Sequence, residues 1–305
     1  MRLWWMSGVF SLGLMAGGPA WAQNAKQLGH TAEEGATDTT LTFAWRSPSG
    51  GKDSLSVVVS TAEVAADKAV KRKIQLQDLY VEMAKAARKS GKTRKKVQLT
   101  AKAGPGGVQL GAQGPAKAAK AAMAEAQTAM EQRRQEWLVE NQVFEVKPGS
   151  LSHDHVAVVA DRAAAVAPVA AALRAGTASD REFVARALAF SQAIPYQKNK
   201  RGTDTGFQRP MALLARNKGD CDGKSALFLS LVRAELPEVP LAMIYVPGHA
   251  LTGVGLPPEE GDKSFTADGV TFIYAEPVGP LAAPLGRTAP ANKRAGKSGT
   301  VRVVP

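Results

Sequence analysis

The chain has 305 residues, of which 45% are apolar and 22% charged, and it carries a net charge of +12 at neutral pH. That apolar share excludes a chain disordered throughout, and the length suits one large domain or two. The positive balance favours anionic surroundings such as membrane surfaces or acidic polymers. No zinc-finger, RNA-recognition or helix-turn-helix pattern accompanies it, so nucleic acid is not an expected partner, and the charge is read as envelope association, solubility or solvated helix faces.

The first residues combine Arg2, an apolar run over residues 3–15 and small residues ending in Ala20-Trp21-Ala22. This predicts a secretory signal peptide over residues 1–22, cleaved after Ala22, and a mature protein that is periplasmic or secreted. The run is short of the roughly 20 apolar residues that span a bilayer, and no later segment reads as long enough, so no transmembrane segment is expected after signal removal. Residues 23–38 are polar and without period, which predicts a flexible lead-in. Residues 40–45 and 54–60 are rich in β-formers around Ser47-Pro48-Ser49-Gly50-Gly51, the pattern of a β-hairpin.

From residue 61 to 89 the spacing of Leu76, Leu79, Tyr80, Met83, Ala86 and Ala87 turns helical, and glycines and lysines over residues 90–114 break it. A second helical stretch over residues 116–143 sets Met123, Met130 and Trp137 seven apart. The two predict a long helical hairpin with those three side chains in a shared apolar seam, a packing role rather than a cofactor box. Residues 39–147 thus form an N-terminal β-hairpin plus helical hairpin region, closed at Lys147-Pro148-Gly149, with a further domain over residues 148–284. Within that domain lie an alanine-rich helix near 155–174 and another beginning at Ser179, which with Glu182 has capping-box spacing. Pro210 suits a first helical turn. His153 and His155 stand two apart with no third ligand near, so a solvated helix start is preferred to a metal site, and no cofactor is expected. Residues 285–305 are rich in Gly, Pro and Lys and read as a mobile basic tail, with a short strand at 301–304 at most.

Cys221 is the sole cysteine, so in an exported protein it has no internal disulfide partner. Lys218-Gly219-Asp220-Cys221-Asp222-Gly223-Lys224-Ser225 runs directly into an apolar stretch long enough for a buried helix, which places Cys221 in its first turn with Asp220 as N-cap. Free amides and the positive end of a helix favour a thiolate, so a lowered thiol pKa is expected. Gly219 and Gly223 are read as allowing a sharp turn and room for a substrate. A phosphate-binding loop needs four residues between its glycines, and here there are three. Residues 241–246 form a strand-like run; His249 opens a second after the turn Pro247-Gly248; residues 271–275 form a third, ending at Glu276-Pro277. Asp268-Gly269 is a hairpin turn signal, which makes Glu276 the preferred third group over Asp268.

These segments resemble the transglutaminase-like superfamily as found in bacterial exported proteins, in which a Gly-Asp-Cys helix start is followed by a His-bearing strand and an acidic residue on the next strand. The resemblance covers roughly residues 183–280, and Ile194-Pro195-Tyr196 and Phe207-Gln208-Arg209-Pro210 sit where the family has such residues. The chain departs from the pattern in having Glu for the commoner Asp, and Gly223 where an acidic residue is frequent. The resemblance implies an α+β, papain-like core with the nucleophile helix packed on an antiparallel sheet. It implies a thiol enzyme that cleaves or transfers an amide or peptide acyl group, in a peptide, protein or cell-envelope polymer substrate, with hydrolysis preferred over transfer. Its triad would be Cys221 as nucleophile, His249 as base and Glu276 as the orienting carboxylate, with Gln208 a candidate oxyanion donor. A non-catalytic envelope module binding peptide or polymer on the same fold is the alternative.

Overall fold

A computed structural model describes residues 26–47, 50–70, 74–91, 96–147, 149–197, 206–278, 283–289, 292 and 294–305. The predicted leader lies outside the described residues. The fold is α+β, with several antiparallel sheets. In chain order the strands are β1 (Lys26–Glu34), β2 (Asp38–Arg46), β3 (Lys52–Ser60), β4 (Gln98–Gly104), β5 (Gly107–Gln113), β6 (Val143–Lys147), β7 (Ser150–His153), β8 (Leu241–Val246), β9 (His249–Val254), β10 (Ser264–Ala267), β11 (Val270–Ala275) and β12 (Thr300–Val304). The helices are α1 (Thr61–Ala69), α2 (Leu76–Gly91), α3 (Ala116–Glu140), α4 (His155–Arg174), α5 (Asp180–Ala193), α6 (Pro210–Arg216), α7 (Cys221–Glu235) and α8 (Ala295–Ser298).

The centre is a five-stranded antiparallel sheet of order β10-β11-β9-β8-β12. Alternation along its strands gives it two apolar faces. On β8, Leu241 and Met243 join the main core with α4, α5, α6 and α7, while Ala242 and Ile244 join Leu251, Phe265, Phe272, Tyr274 and Ala295 on the other face. Helix α7 is buried from Gly223 to Val232, as its unbroken apolar run predicts. Asp268 and Gly269 both have positive φ, the geometry of the tight hairpin that joins β10 to β11. At α5, Ser179 accepts from the Glu182 amide and the Glu182 carboxylate accepts from the Ala178 amide, one residue earlier than a standard capping box.

Several expectations are corrected. The flexible lead-in is strand β1 from Lys26 on, paired antiparallel with β2. Its polar face hides it from any period search, because most of its side chains are exposed. The tail contains α8 and β12, and β12 completes the sheet by pairing with β8, Val304 opposite Leu241. The N-terminal hairpin does not stand apart from the second half: Leu41, Phe43, Trp45, Leu55, Val59 and Val64 share one core with Phe190 and α7.

What does stand out is the excursion between α1 and α4. There α2 and α3 form a helical hairpin, but the arm predicted over residues 61–89 is two helices, with α1 joined to the main core through Val64, and a β-hairpin, β4–β5, fills the break between α2 and α3 and packs on both. The seam is made by Leu79 with Trp137 and by Ala84 and Ala87 with Ala126 and Met130. Met123 is half-buried and outside it, because a seven-residue step drifts round a straight helix.

Helix α4 is the one described helix long and apolar enough, by length and composition, to cross a membrane, which overturns the reading that no later segment reaches that length. In the fold it lies in the core, with Val158, Val159, Val166, Val169, Ala170 and Leu173 buried.

Candidate functional site

Cys221 begins α7, and Asp220 caps that helix by accepting from the Gly223 amide at 2.9 Å. The glycines before and inside this turn have no positive φ. They are there for close packing: a Cβ on Gly219 would lie 2.4 Å from Leu213 Cδ1, and one on Gly223 would lie 3.1 Å from the Gln208 carbonyl oxygen. Their expected role in clearing space for a substrate is therefore replaced by a role in seating α7.

His249 is the first residue of β9, delivered by the Gly248 turn, whose φ of 74° suits glycine. The next residue, Ala250, ties the strand to α7 twice: its carbonyl accepts from Ser225 Oγ at 3.4 Å and its amide hydrogen-bonds the Cys221 sulfur. Strand β11 pairs with β9 through Ala275 opposite Thr252, which carries Glu276 to the histidine. His249 Nε2 lies 3.0 Å from Glu276 Oε1. Nδ1 is the ring nitrogen that remains, and Asp222 and the Ala250 amide are partners of the Cys221 sulfur.

The carboxylate is held from three sides. Asn292 Nδ2 donates to Oε1 at 2.7 Å and the Ala289 amide donates to Oε2 at 2.8 Å, and the residue is only 4% exposed. Gln192 Nε2 holds the Glu276 backbone carbonyl at 3.0 Å. Asn292 and Ala289 come from the segment expected to be a mobile tail, and nothing in their sequence surroundings marks them. Asp262, an alternative orienting group, is engaged by Arg181 at 2.7 Å, and Asp268 sits in its hairpin turn.

The electrostatics of the thiol run against the expectation. Burial first, then the carboxylates of Asp222 and Asp220, push the Cys221 thiol up to about 12, opposed by the Ala250 amide. The thiol points at Asp222 Oδ1, 3.6 Å away. A helix dipole is worth at most about 1–2 kcal/mol, which burial and two carboxylates exceed. Tyr196 hydrogen-bonds Cys221 from the other side, and burial followed by the Cys221 charge raises its phenol. Its segment is fixed by the bond from the Gln197 amide to the Gly219 carbonyl at 2.8 Å. Gln208 is buried and donates one of its two side-chain amide hydrogens to Gln197.

Two further groups stand close by. Lys224, one turn after Cys221, is fully buried with its Nζ donating to the carbonyls of Ile194 at 2.7 Å and Gln192 at 3.2 Å; burial lowers it to about 7. His155 is buried rather than solvated, bonded through Nδ1 to the Tyr245 hydroxyl at 2.9 Å and packed edge-on to Phe207. Burial, with smaller effects from nearby charges, lowers it to about 3. Among the described residues no group of three His, Cys, Asp or Glu is arranged to hold a metal. A cavity of about 300 Å³ borders the start of α7, lined by Ser152, His153, His155, Phe207, Asp220 and Asp222 among others.

Comparison with family models, with curated proteins and with solved structures finds no match.

Proposed function

We propose that the protein is an exported thiol enzyme of transglutaminase-like type, which cleaves or transfers an amide acyl group through an acyl-enzyme on Cys221. The observation that carries this reading is the Glu276–His249 hydrogen bond, on a strand whose next amide meets the Cys221 sulfur at a buried helix start. The sulfur attacks the amide carbonyl as His249 Nδ1 accepts the thiol proton. The tetrahedral intermediate collapses as the imidazolium returns that proton to the leaving amine. Water or a second amine then releases the acyl group, and hydrolysis is the favoured outcome. Glu276 holds the imidazole in the productive tautomer, and the Cys221 amide is placed to donate to the oxyanion. The cavity beside Asp222 is the natural approach for the substrate, a peptide, protein or cell-envelope polymer. The test is a screen of peptide, isopeptide and peptidoglycan fragments, with intact-mass detection of an acyl adduct on the sole cysteine. Turnover that survives in Cys221→Ala would overturn the reading.

A second reading, a non-catalytic envelope module on the same fold, is favoured by one observation, the thiol held neutral by burial and by Asp222 and Asp220. It predicts no acyl adduct with any fragment, and saturable binding that Cys221→Ala leaves intact.

A further inference from the structure

Between Glu82 and Glu125 the sequence has ten Lys and Arg residues, no Asp or Glu, and no aromatic residue. The fold gathers the described part of this stretch at one end of the α2–α3 arm. Leu79 packs with Trp137, while Ala84 and Ala87 pack with Ala126, so the two helices run antiparallel and the end of α2 meets the start of α3. Exposed Lys89 lies in the last turn of α2, and exposed Lys117 and Lys120 lie in the first turns of α3. The hairpin β4–β5 joins them: Leu99 and Ala101 face the helices, and Gln98, Thr100, Lys102, Gln109 and Gln113 are exposed. Lys96 precedes it, also exposed.

The opposite end of the arm carries the acidic groups. Glu131, Glu136, Glu140 and Glu145 are there, tied to Arg133 and Arg134. Helix α3 has 25 residues and so holds the two ends roughly 37 Å apart. Lysines at the start of α3 oppose its dipole, and its first turn has no acidic residue. A local rule broken without local compensation points to a use outside the fold.

We propose that this basic end is an adsorption surface for anionic lipid bilayers. The hairpin presents an exposed polar face with a lysine at its centre, without the aromatic platforms that hold single-stranded nucleic acid. Its apolar side chains face inward, so contact is electrostatic, without insertion, and reversible by salt. The surface stands on the arm itself and is independent of any chemistry at Cys221.

The test uses the purified full chain sedimented with vesicles of phosphatidylcholine, with or without phosphatidylglycerol. Partitioning is expected only with phosphatidylglycerol and only at low salt, lost by ~0.5 M salt. Lys89→Gln/Lys117→Gln/Lys120→Gln removes three exposed charges without touching the seam. It should weaken partitioning on the order of a hundredfold without lowering the thermal transition. Four results would each overturn the proposal: equal partitioning onto phosphatidylcholine alone, retention at high salt, no loss in the triple variant, and no partitioning at all. Capture of the protein from the vesicles by duplex DNA or polyphosphate at equal charge concentration would overturn it too, and assign the surface to a polymer.

Discussion

Replacing Asp222 with Asn should make Cys221 a faster nucleophile. The carboxylate oxygen lies 3.6 Å from the sulfur, and together with burial and Asp220 it holds the thiol at about 12. At that distance a unit charge repels a thiolate by ~1 kcal/mol under full water screening and by ~4–5 kcal/mol at the effective dielectric of a protein surface. A tenfold change corresponds to ~1.4 kcal/mol, so the thiolate population should rise by roughly one to three orders of magnitude. The single cysteine makes the assay direct: iodoacetamide labelling followed by intact mass, as a function of pH. The wild-type chain should label more slowly than a model thiol near neutral pH. Its rate should keep climbing well above pH ~8.5, where a model thiol levels off. In Asp222→Asn the rising limb should move to lower pH. Superimposable profiles would refute the assignment to Asp222. A wild-type chain that outpaces the model thiol at neutral pH would refute the sign itself, by showing that the helix amides and His249 outweigh the carboxylates.

Glu276→Gln should lower turnover on the order of 10- to 10⁴-fold, less than loss of Cys221, and unchanged turnover would remove its orienting role. Because three donors converge on a nearly buried carboxylate, the substitution should also lower stability by about 1–3 kcal/mol, read from a denaturant midpoint. His155 sits at about 3 in the folded state against ~6.5 unfolded, so it contributes stability above pH ~6.5 that is lost as pH falls toward 3; acid unfolding of His155→Asn should be shallower by up to about 5 kcal/mol across that window. Lys224 is likewise depressed, to about 7, so the wild type should gain stability relative to Lys224→Met as pH rises from 7 to about 10, by up to ~5 kcal/mol, and parallel stability–pH curves would refute the lowered pKa.

The elements that bear Cys221, His249 and Glu276, like the N-terminal hairpin, were legible because each has a strong local signature. The Asp220 cap before an unbroken apolar run marks α7, the Pro247-Gly248 and Asp268-Gly269 turns bound β9 and β11, and the alternation of residues 40–45 marks β2. What was illegible depends on partners distant in sequence. Strand β1 exists because β2 offers it an edge, and its side chains face mostly outward. Strand β12 has a legible run of valines, but only β8 turns that run from a tail into the fifth strand of the sheet. Asn292 and Ala289 matter solely because the chain returns to Glu276. The thiol was misjudged for a different reason. Asp220 and Asp222 were read as part of a helix start, which they are, but the same two carboxylates act on the sulfur at short range, and burial removes the water that would screen them.

That dual role constrains how the proposed chemistry can run. Asp220 is needed to start α7, so the residue that positions the nucleophile also disfavours its anion, and the site is ill suited to a standing thiolate–imidazolium pair. It is suited to proton transfer during attack. As the carbon–sulfur bond forms, the negative charge appears on the carbonyl oxygen rather than on the sulfur, away from Asp222. The positive charge appears on His249, whose far nitrogen is 3.0 Å from Glu276. Asp222 and Asp220 therefore raise the energy of the free anion, while Glu276 faces the imidazole on which positive charge develops on the way to the acyl-enzyme. This is the differential that accelerates a reaction rather than the resting reactivity of a thiol.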